Sequence, residues 1–169
     1  CAHLLNIDKT SFVELGADRV ADAVAAKAIF GAPVVVVDFG TATNMEVIDK
    51  DGVFVGGVIA PGVESSMRSL MSRAALLRAV ELEDPGVAIG RDSSEAIQIG
   101  VVSGEAARVD GLVERIQAEL GYKTKVVATG GLAHRIAPLS HTITEVDVEL
   151  TLQGLRLIYN ELKKCDNQR

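Results

Sequence analysis

Two short segments carry side chains that can do chemistry at the start or end of a regular element. Asp38-Phe39-Gly40-Thr41 closes an apolar strand and opens a hairpin. A carboxylate at the end of a buried strand must be paired, hydrated or bound to a cation, because an unpaired buried charge is costly. Gly40 permits a close backbone approach, and Thr41 and Thr43 offer hydroxyls and amides to phosphate oxygens. The structural alternative is an ordinary hairpin whose aspartate caps local amides.

The second segment, Gly16-Ala17-Asp18-Arg19, starts an amphipathic helix. Asp18 can act as a base toward a hydroxyl, and Arg19 can clamp a carboxylate. An acid in the first helical turn is also favoured by the helix dipole, so capping is the alternative role for Asp18.

Two further segments are ambiguous when they are taken alone. Thr129-Gly130-Gly131 follows a short aliphatic strand and leaves room for a flat ligand or a crossing chain, but it lacks the spacing of a dinucleotide fingerprint. Ser93 lies in a polar segment, 90–95, where the spacing of Asp92 and Glu95 predicts a capping box. The hydroxyls of that segment either cap the helix or reach a polar substrate.

The surrounding pattern predicts the order βββ-α-α-β-(α)-β-α. Three strands over 34–37, 44–49 and 53–60 form an antiparallel meander, since a hairpin signal separates the last two. Further strands are predicted at 125–128 and 142–148, and helices at 17–30, 63–77, 92–120 and near the end, from Leu152 to Leu162. Gly100 and Gly104 lie four apart on the long helix and predict a close contact with a neighbour.

Composition excludes several classes of protein. The 169 residues carry a formal charge of −6 with no basic cluster, which argues against nucleic-acid binding. No apolar run approaches the roughly 20 residues of a membrane span, and no secretion signal opens the chain. Cys1 and Cys165 are predicted to be free thiols in a reducing cytoplasm. The three histidines have no metal-ligand spacing; they are His3, His134 and His141.

Several motifs occur in an order that resembles the type III pantothenate kinases. They are Gly-Ala-Asp-Arg at 16–19, Asp-Phe-Gly-Thr-Ala-Thr at 38–43, the glycine-rich segment 56–62, Val-Asp-Gly-Leu-Val-Glu-Arg-Ile at 109–116, Ala-Thr-Gly-Gly at 128–131 and Leu-Thr-Leu-Gln-Gly-Leu-Arg at 150–156. The resemblance runs from about residue 14 to residue 164. It implies an α/β lobe of the actin/sugar-kinase/Hsp70 type (ribonuclease H-like), with a mixed sheet that starts with a three-stranded antiparallel meander and is flanked by helices.

The resemblance also implies an activity: transfer of the γ-phosphoryl of ATP to pantothenate, the first step of coenzyme A synthesis. It assigns Asp18 as the catalytic base and Asp38 as the ligand of a monovalent cation, K⁺ or NH₄⁺, with Mg²⁺ accompanying ATP. The substrate site would comprise Gly16, Ala17, Asp18, Arg19 and Ser93. The nucleotide site would comprise Gly40, Thr41, Gly130 and Gly131.

Nothing here resembles the family's N-terminal Asp-x-Gly-Asn-Thr phosphate loop. We therefore expect residues 1–32 to be a tail and the last helix of a mostly missing first lobe, and residues 33–169 to be the second lobe. The chain alone is then expected to be inactive or nearly so. The family also implies a homodimer, for which the Gly100/Gly104 face is the predicted contact.

Two other functions remain open from the sequence. One is a non-catalytic, partner-binding accessory protein on the same fold, because the same family includes proteins described as Bvg accessory factors linked to transcription control. The other is a different small-molecule kinase of the superfamily, such as a sugar kinase. Arg19 beside Asp18 favours a substrate with a carboxylate over a neutral sugar.

Overall fold

The computed structural model describes residues 4–7, 15–73 and 80–166. Within these ranges the protein is a mixed α/β fold with one six-stranded sheet of order β1-β4-β3-β2-β5-β6. The strands are β1 (Asn6–Ile7), β2 (Val34–Phe39), β3 (Ala42–Ile48), β4 (Val53–Pro61), β5 (Lys125–Thr129) and β6 (Glu145–Val146). Strands β2, β3 and β4 pair antiparallel in chain order, so the predicted meander is confirmed. Three pairs are parallel: β2 with β5, β5 with β6, and β1 with β4.

Strand β2 is buried on both faces because helices cover both sides of the sheet. Val34 and Val36 pack against α1 (Ala17–Phe30) and the start of α6 (Leu150–Asp166), which define the α1 face. The alternate residues Val35 and Val37 belong to the opposite core. That core includes α2 (Val63–Arg73) and α4 (Gly104–Leu120), and this side is called the α4 face below. A residue's position along β2 therefore decides which face it serves.

The prediction of one continuous α-helix from 92 to 120 is wrong. It consists of α3 (Ser93–Gln98), a π-helical segment (Ile99–Ser103) and α4. The π segment contains Gly100 and is followed directly by Gly104, and glycine is a weak helix former. A Cβ built on Gly100 meets no atom within 4 Å in the described part of the chain, so the close contact predicted there is not made within it.

The other elements follow the prediction with shifted bounds. Helix α6 is confirmed, whereas the strand predicted at 142–148 is reduced to β6 because only two residues pair with β5. Helix α2 is described as far as Arg73, and the rest of the predicted helix, 74–77, lies outside the described residues. A short helix α5 (Ala133–Ile136) and a 3₁₀ turn (Ala137–Leu139) follow β5. None of the described helices has the length and apolar character needed to cross a bilayer.

Helix α1 packs against both α6 and strands β2 and β3. The α1–α6 contact is close because Gly154 lies against the Ala21 backbone, where any Cβ would overlap the Ala21 carbonyl oxygen. The division of the chain into two lobes at residue 32 stays a prediction.

Candidate active site

The carboxyl ends of the parallel strands β2 and β5 lie side by side and carry polar residues. Asp38 and Thr129 are register partners near these ends. Asp38 continues the alternation of Val34 and Val36, so it is on the α1 face. Ligands of open α/β sheets bind at this kind of edge.

The start of α1 brings a second carboxylate to this edge. Burial raises the pKa of Asp38, and the nearby charge of Asp18 raises it further. Asp18 itself is exposed, and a Cβ on Gly16 would overlap its carboxylate, so glycine leaves the space that Asp18 occupies. Gly16 is the N-cap of α1 and Asp18 is an acidic residue in its first turn, so the helix-dipole role stays open as an alternative for Asp18. The structure thus brings together the predicted base and the predicted cation ligand, 20 residues apart in the sequence.

The two glycines after β5 differ in what they do. Gly130 has φ +90°, and a Cβ there would overlap the Asp38 carboxylate and lie 2.7 Å from the carbonyl oxygen of Phe39. A Cβ on Gly131 would meet nothing within 4 Å. Gly130 therefore allows the backbone after β5 to pass close to the end of β2, whereas Gly131 borders open space.

That open space is a cavity of about 350 Å³ that is lined in part by the Gly40–Thr41 turn. Its lining includes Gly40, Thr41 and Gly131, three of the four residues predicted for the nucleotide. It also includes Ser65 and Arg68 from α2, which sequence reasoning missed. The Ser65 hydroxyl donates to the Thr41 carbonyl oxygen at 2.8 Å. The cavity thus combines a turn, the first turns of a helix and a guanidinium, features that suit an anion, with one carboxylate, that of Glu64.

Glycine also brings α2 close to this turn. A Cβ on Gly62 would lie 2.5 Å from the Thr41 carbonyl oxygen and 2.6 Å from that of Gly40. The signal that could have revealed this approach is the Pro61-Gly62 pair, in which Pro61 ends β4 and Gly62 directly precedes α2.

Thr43 does not face a ligand. It is buried, and its hydroxyl donates to Glu105 of α4 at 2.7 Å. The idea that Thr43 offers its hydroxyl to phosphate, as Thr41 does, is therefore wrong. The reason is that Thr43 lies within β3 and points to the α4 face, while Thr41 precedes the strand.

Arg19 is buried rather than open to solvent. Its Nε donates to Oε1 of Glu46 at 2.7 Å, and its Nη2 donates to the Met45 carbonyl oxygen at 3.5 Å. Glu46 is fully buried. Burial raises the pKa of Glu46, and the hydrogen bond and charge of Arg19 oppose that rise. Sequence reasoning missed Glu46, and only its register opposite Val36, on the α1 face, reveals it.

A further carboxylate on this face is Asp22, one turn after Asp18. It accepts a hydrogen bond from the Thr151 hydroxyl at 2.6 Å, which links α1 to the start of α6. Burial raises the pKa of Asp22 to about 6, with smaller increases from the charges of Asp38 and Asp18. The Leu-Thr-Leu-Gln-Gly motif is therefore explained by two contacts with α1, through Thr151 and Gly154.

Ser93 is exposed and is the first residue of α3. Asp92 caps that helix by accepting from the Glu95 amide at 2.9 Å, and Glu95 in turn accepts from the Arg91 amide at 2.8 Å, so the predicted capping box is confirmed with a shifted return bond. The contacts of the described residues do not join Ser93 to Asp18 or Asp38.

His141 takes part in a network rather than standing alone in a loop. Its imidazole contacts Asp110 at 2.7 Å and Glu114 at 3.0 Å, both on α4. His134 is exposed on α5, and His3 lies outside the described residues. Cys165 is an exposed free thiol, and Cys1 lies outside the described residues.

Comparison with solved structures identifies the fold. The chain superposes on a Baf family transcriptional activator from Campylobacter jejuni with a TM-score of 0.68, at 23% identity, covering 96% of this chain and 71% of that one. It also superposes on the activator of 2-hydroxyisocaproyl-CoA dehydratase from Clostridium difficile, solved with bound ADPNP, with a TM-score of 0.58 at 16% identity, covering 90% and 69%. These neighbours confirm the predicted actin-like fold.

Sequence comparison identifies the family. The relatives include the type III pantothenate kinases of Thermomicrobium roseum, 49% identical over 89% of this chain, and of Roseiflexus sp., 51% identical over 91%. The chain spans 58% and 60% of the length of these two curated relatives. The profile of the type III pantothenate kinases matches residues 1–115. The chain therefore belongs to the type III pantothenate kinase family.

Proposed function

We propose that the protein transfers the γ-phosphoryl group of ATP to the primary hydroxyl of pantothenate, the first step of coenzyme A synthesis. The observation that carries this proposal is that Asp18 lies near enough to Asp38, at the carboxyl edge of the sheet, for its charge to raise the pKa of Asp38, beside the turn that lines the cavity. Family membership supports the substrate and the phosphoryl donor.

Asp18 is the general base in this proposal. Its carboxylate takes the proton of the substrate hydroxyl as that oxygen attacks the γ-phosphorus, and the bond from the γ-phosphorus to the bridging oxygen breaks to release ADP. Phosphoryl transfer depends mainly on positioning and charge neutralisation. Asp18 suits the role because it is exposed at the site, whereas the neighbouring Asp22 and Glu46 are buried.

The nucleotide lies on the other side of the turn in this proposal. Gly40 and Thr41 would meet its phosphates, and Gly130 and Gly131 would border its adenosine side. Arg68 lines the same cavity and supplies a positive charge to it. Ser93 is retained as a substrate contact, and Arg19 favours pantothenate, which bears a carboxylate, over the neutral sugar of a sugar kinase.

The residues at Asp38 fit a hard monovalent cation, K⁺ or NH₄⁺. Asp38 is a half-buried carboxylate, and its register partner Thr129 has a buried hydroxyl without a hydrogen-bond partner in the described structure. The described residues contain no group of three or more carboxylate, imidazole or thiol side chains able to hold a metal. The cation would thus also draw on hydroxyl, backbone or phosphate oxygens. Such a cation, and Mg²⁺ carried by ATP, would offset phosphate charge.

We further propose a cytoplasmic homodimer with the Gly100/Gly104 face as its contact. The support is that a Cβ on Gly100 meets nothing within 4 Å in the described part of the chain, so a second backbone has room to approach.

Asp18→Asn tests the function in the full-length protein. We expect kcat for pantothenate phosphorylation to fall by about 10²–10⁴-fold, because the amide cannot accept the proton. The control is Asp51→Asn, an exposed residue in the β3–β4 hairpin at the far end of β3. The 169-residue chain is assayed in parallel and is expected to be nearly inactive.

The same variant separates the alternative functions. If Asp18→Asn retains the biological role of the protein while coenzyme A synthesis is lost, the accessory-protein reading is favoured. Faster turnover of a neutral sugar than of pantothenate by the unsubstituted protein would contradict the proposed substrate.

A further inference from the structure

The Arg19 side chain extends from α1 and contacts residues of two strands, β3 and β4. Its Nε donates to Oε1 of Glu46, and the pair is 27 residues apart in the sequence. The two side chains are only 7% and 0% exposed. The guanidinium also lies 5.9 Å from the centre of the Phe54 ring on β4, within the range of a cation–π contact.

Strand β4 leaves the space that this guanidinium needs. Gly57 is the register partner of Glu46; a Cβ at Gly57 would overlap the Met45 carbonyl oxygen on β3 and would lie 2.9 Å from Nη2 of Arg19. The position of Arg19 therefore depends on Glu46 beside it and on a missing side chain at Gly57. A buried ion pair is weak evidence for a gain in stability, because desolvation offsets the attraction. The benefit of the Arg19–Glu46 ion pair therefore lies in the position that it gives to the Arg19 charge.

The charges around Arg19 show why it needs a fixed partner. Asp18, Asp22 and Asp38 lie in the same region, since the charge of Asp18 raises the pKa of both Asp22 and Asp38. An arginine on a flexible side chain among these carboxylates has several competing partners. Glu46 contacts Arg19 at 2.7 Å, and this contact ties the guanidinium to strand β3 of the sheet.

We propose that Glu46 is a positioning residue that holds the Arg19 guanidinium in place, so that its charge favours the carboxylate end of the acceptor substrate. This inference rests on the proposed function. Glu46 touches no reacting atom in it and acts through Arg19 alone. A misplaced guanidinium weakens binding of an anionic acceptor more than it slows the chemical step.

Steady-state kinetics of full-length Glu46→Gln test the proposal, because glutamine keeps the size and an acceptor oxygen but removes the charge. We expect KM for pantothenate to rise about tenfold, with kcat within about threefold of the unsubstituted protein and KM for ATP unchanged. Glu46→Asp restores the charge on a shorter side chain and should recover part of the loss. With an acceptor analogue that carries a primary alcohol in place of the carboxylate, KM should be the same for Glu46→Gln and the unsubstituted protein.

Glu105→Gln is the matched control. Glu105 is also a buried glutamate paired with an arginine, Arg108, but it belongs to the α4 face. Its substitution should leave both KM values unchanged.

An unchanged KM for pantothenate in Glu46→Gln overturns the proposal, as does an equal rise in KM for the carboxylate-free analogue. If Glu46→Gln does not fold, Glu46→Asp decides: a raised KM for pantothenate alone supports positioning, and any other pattern overturns it. If the unsubstituted protein does not phosphorylate pantothenate, the proposed function itself fails and this inference fails with it.

Discussion

The two faces of the sheet bury carboxylates in different ways. On the α4 face, Asp110 accepts hydrogen bonds from the hydroxyls of Ser140 and Thr142 and from the amides of His141 and Thr142. Burial alone would raise the pKa of Asp110, but these bonds outweigh it and leave the pKa below its usual value. On the α1 face, burial dominates, and the pKa values of Asp22, Asp38 and Glu46 are all raised.

The difference supports a structural role for Asp110 and the functional role that we propose for the carboxylates of the α1 face. Asp110 ties the loop after the 3₁₀ turn to α4, and its hydrogen bonds are made by that loop. On the α1 face, Oε2 of Glu46 and the hydroxyl of Thr129 are buried without a hydrogen-bond partner in the described structure, and on α4 the same holds for Nε of Arg108. Incomplete satisfaction and like charges in one region are a cost to folding, and such costs concentrate at functional sites.

The largest expected effect comes from adding a side chain at Gly130, where the backbone after β5 passes close to the end of β2. Gly130→Ala should destabilise the full-length protein by about 3–4 kcal/mol, since the new Cβ overlaps the Asp38 carboxylate and the backbone has φ +90°. Urea unfolding measures the change. Gly131→Ala is the matched control and should change stability by less than about 0.5 kcal/mol, because its Cβ meets nothing within 4 Å. Equal changes in stability in the two variants would show that the backbone at Gly130 is not packed tightly against Asp38 and Phe39.

The next largest effect concerns the raised pKa of a carboxyl group on the α1 face. The pKa of Asp22 is raised from 3.8 to about 6 in the folded protein. Its contribution to stability is therefore complete below about pH 4 and is lost as the pH rises to about 6, at about 1.4 kcal/mol for each pKa unit. Asp22→Asn, which can still accept from Thr151, should remove up to about 3 kcal/mol of this fall. Unfolding measured from pH 4 to 7 checks it, with Asp51→Asn as the control; an unchanged slope in Asp22→Asn would contradict the raised pKa.

The smallest effect belongs to the α4 face. The hydrogen bond to Glu114, followed by the charge of Asp110, raises the pKa of His141. The protonated imidazole therefore contributes stability below its unfolded pKa of about 6.5, and this contribution is lost as the pH rises through the folded value. Because His141 is exposed, His141→Gln should lower Tm at pH 6 by no more than about 3 °C and leave it unchanged at pH 9. His134→Gln is the control, and a larger loss at pH 9 than at pH 6 would reverse the assignment.

Most of the fold was predictable because its signals are local. Four consecutive valines at 34–37, the hairpin residues at 50–52 and the periodicity of α1 and α6 each depend on residues within a few positions of one another. The prediction of one long helix was wrong at the π segment, because a glycine within a helical pattern does not indicate whether the helix bends, ends or changes to a π-helix. The predicted length of β6 was wrong for another reason: the length of this strand depends on how many of its residues pair with β5.

The amino-acid sequence by itself determined the order of the motifs, the meander, the glycine turns and the family, and with them Asp18, Asp38 and Thr41 as candidates. Only the tertiary structure decided which side chains share a face and which partner each one has. Glu46 acquires its importance from register with Val36 and contact with Arg19, and Asp22 from Thr151, which is 129 residues away. These pairings depend on the packing of α1 and α6 onto the sheet, and no local pattern encodes a contact whose two halves are so far apart in the chain.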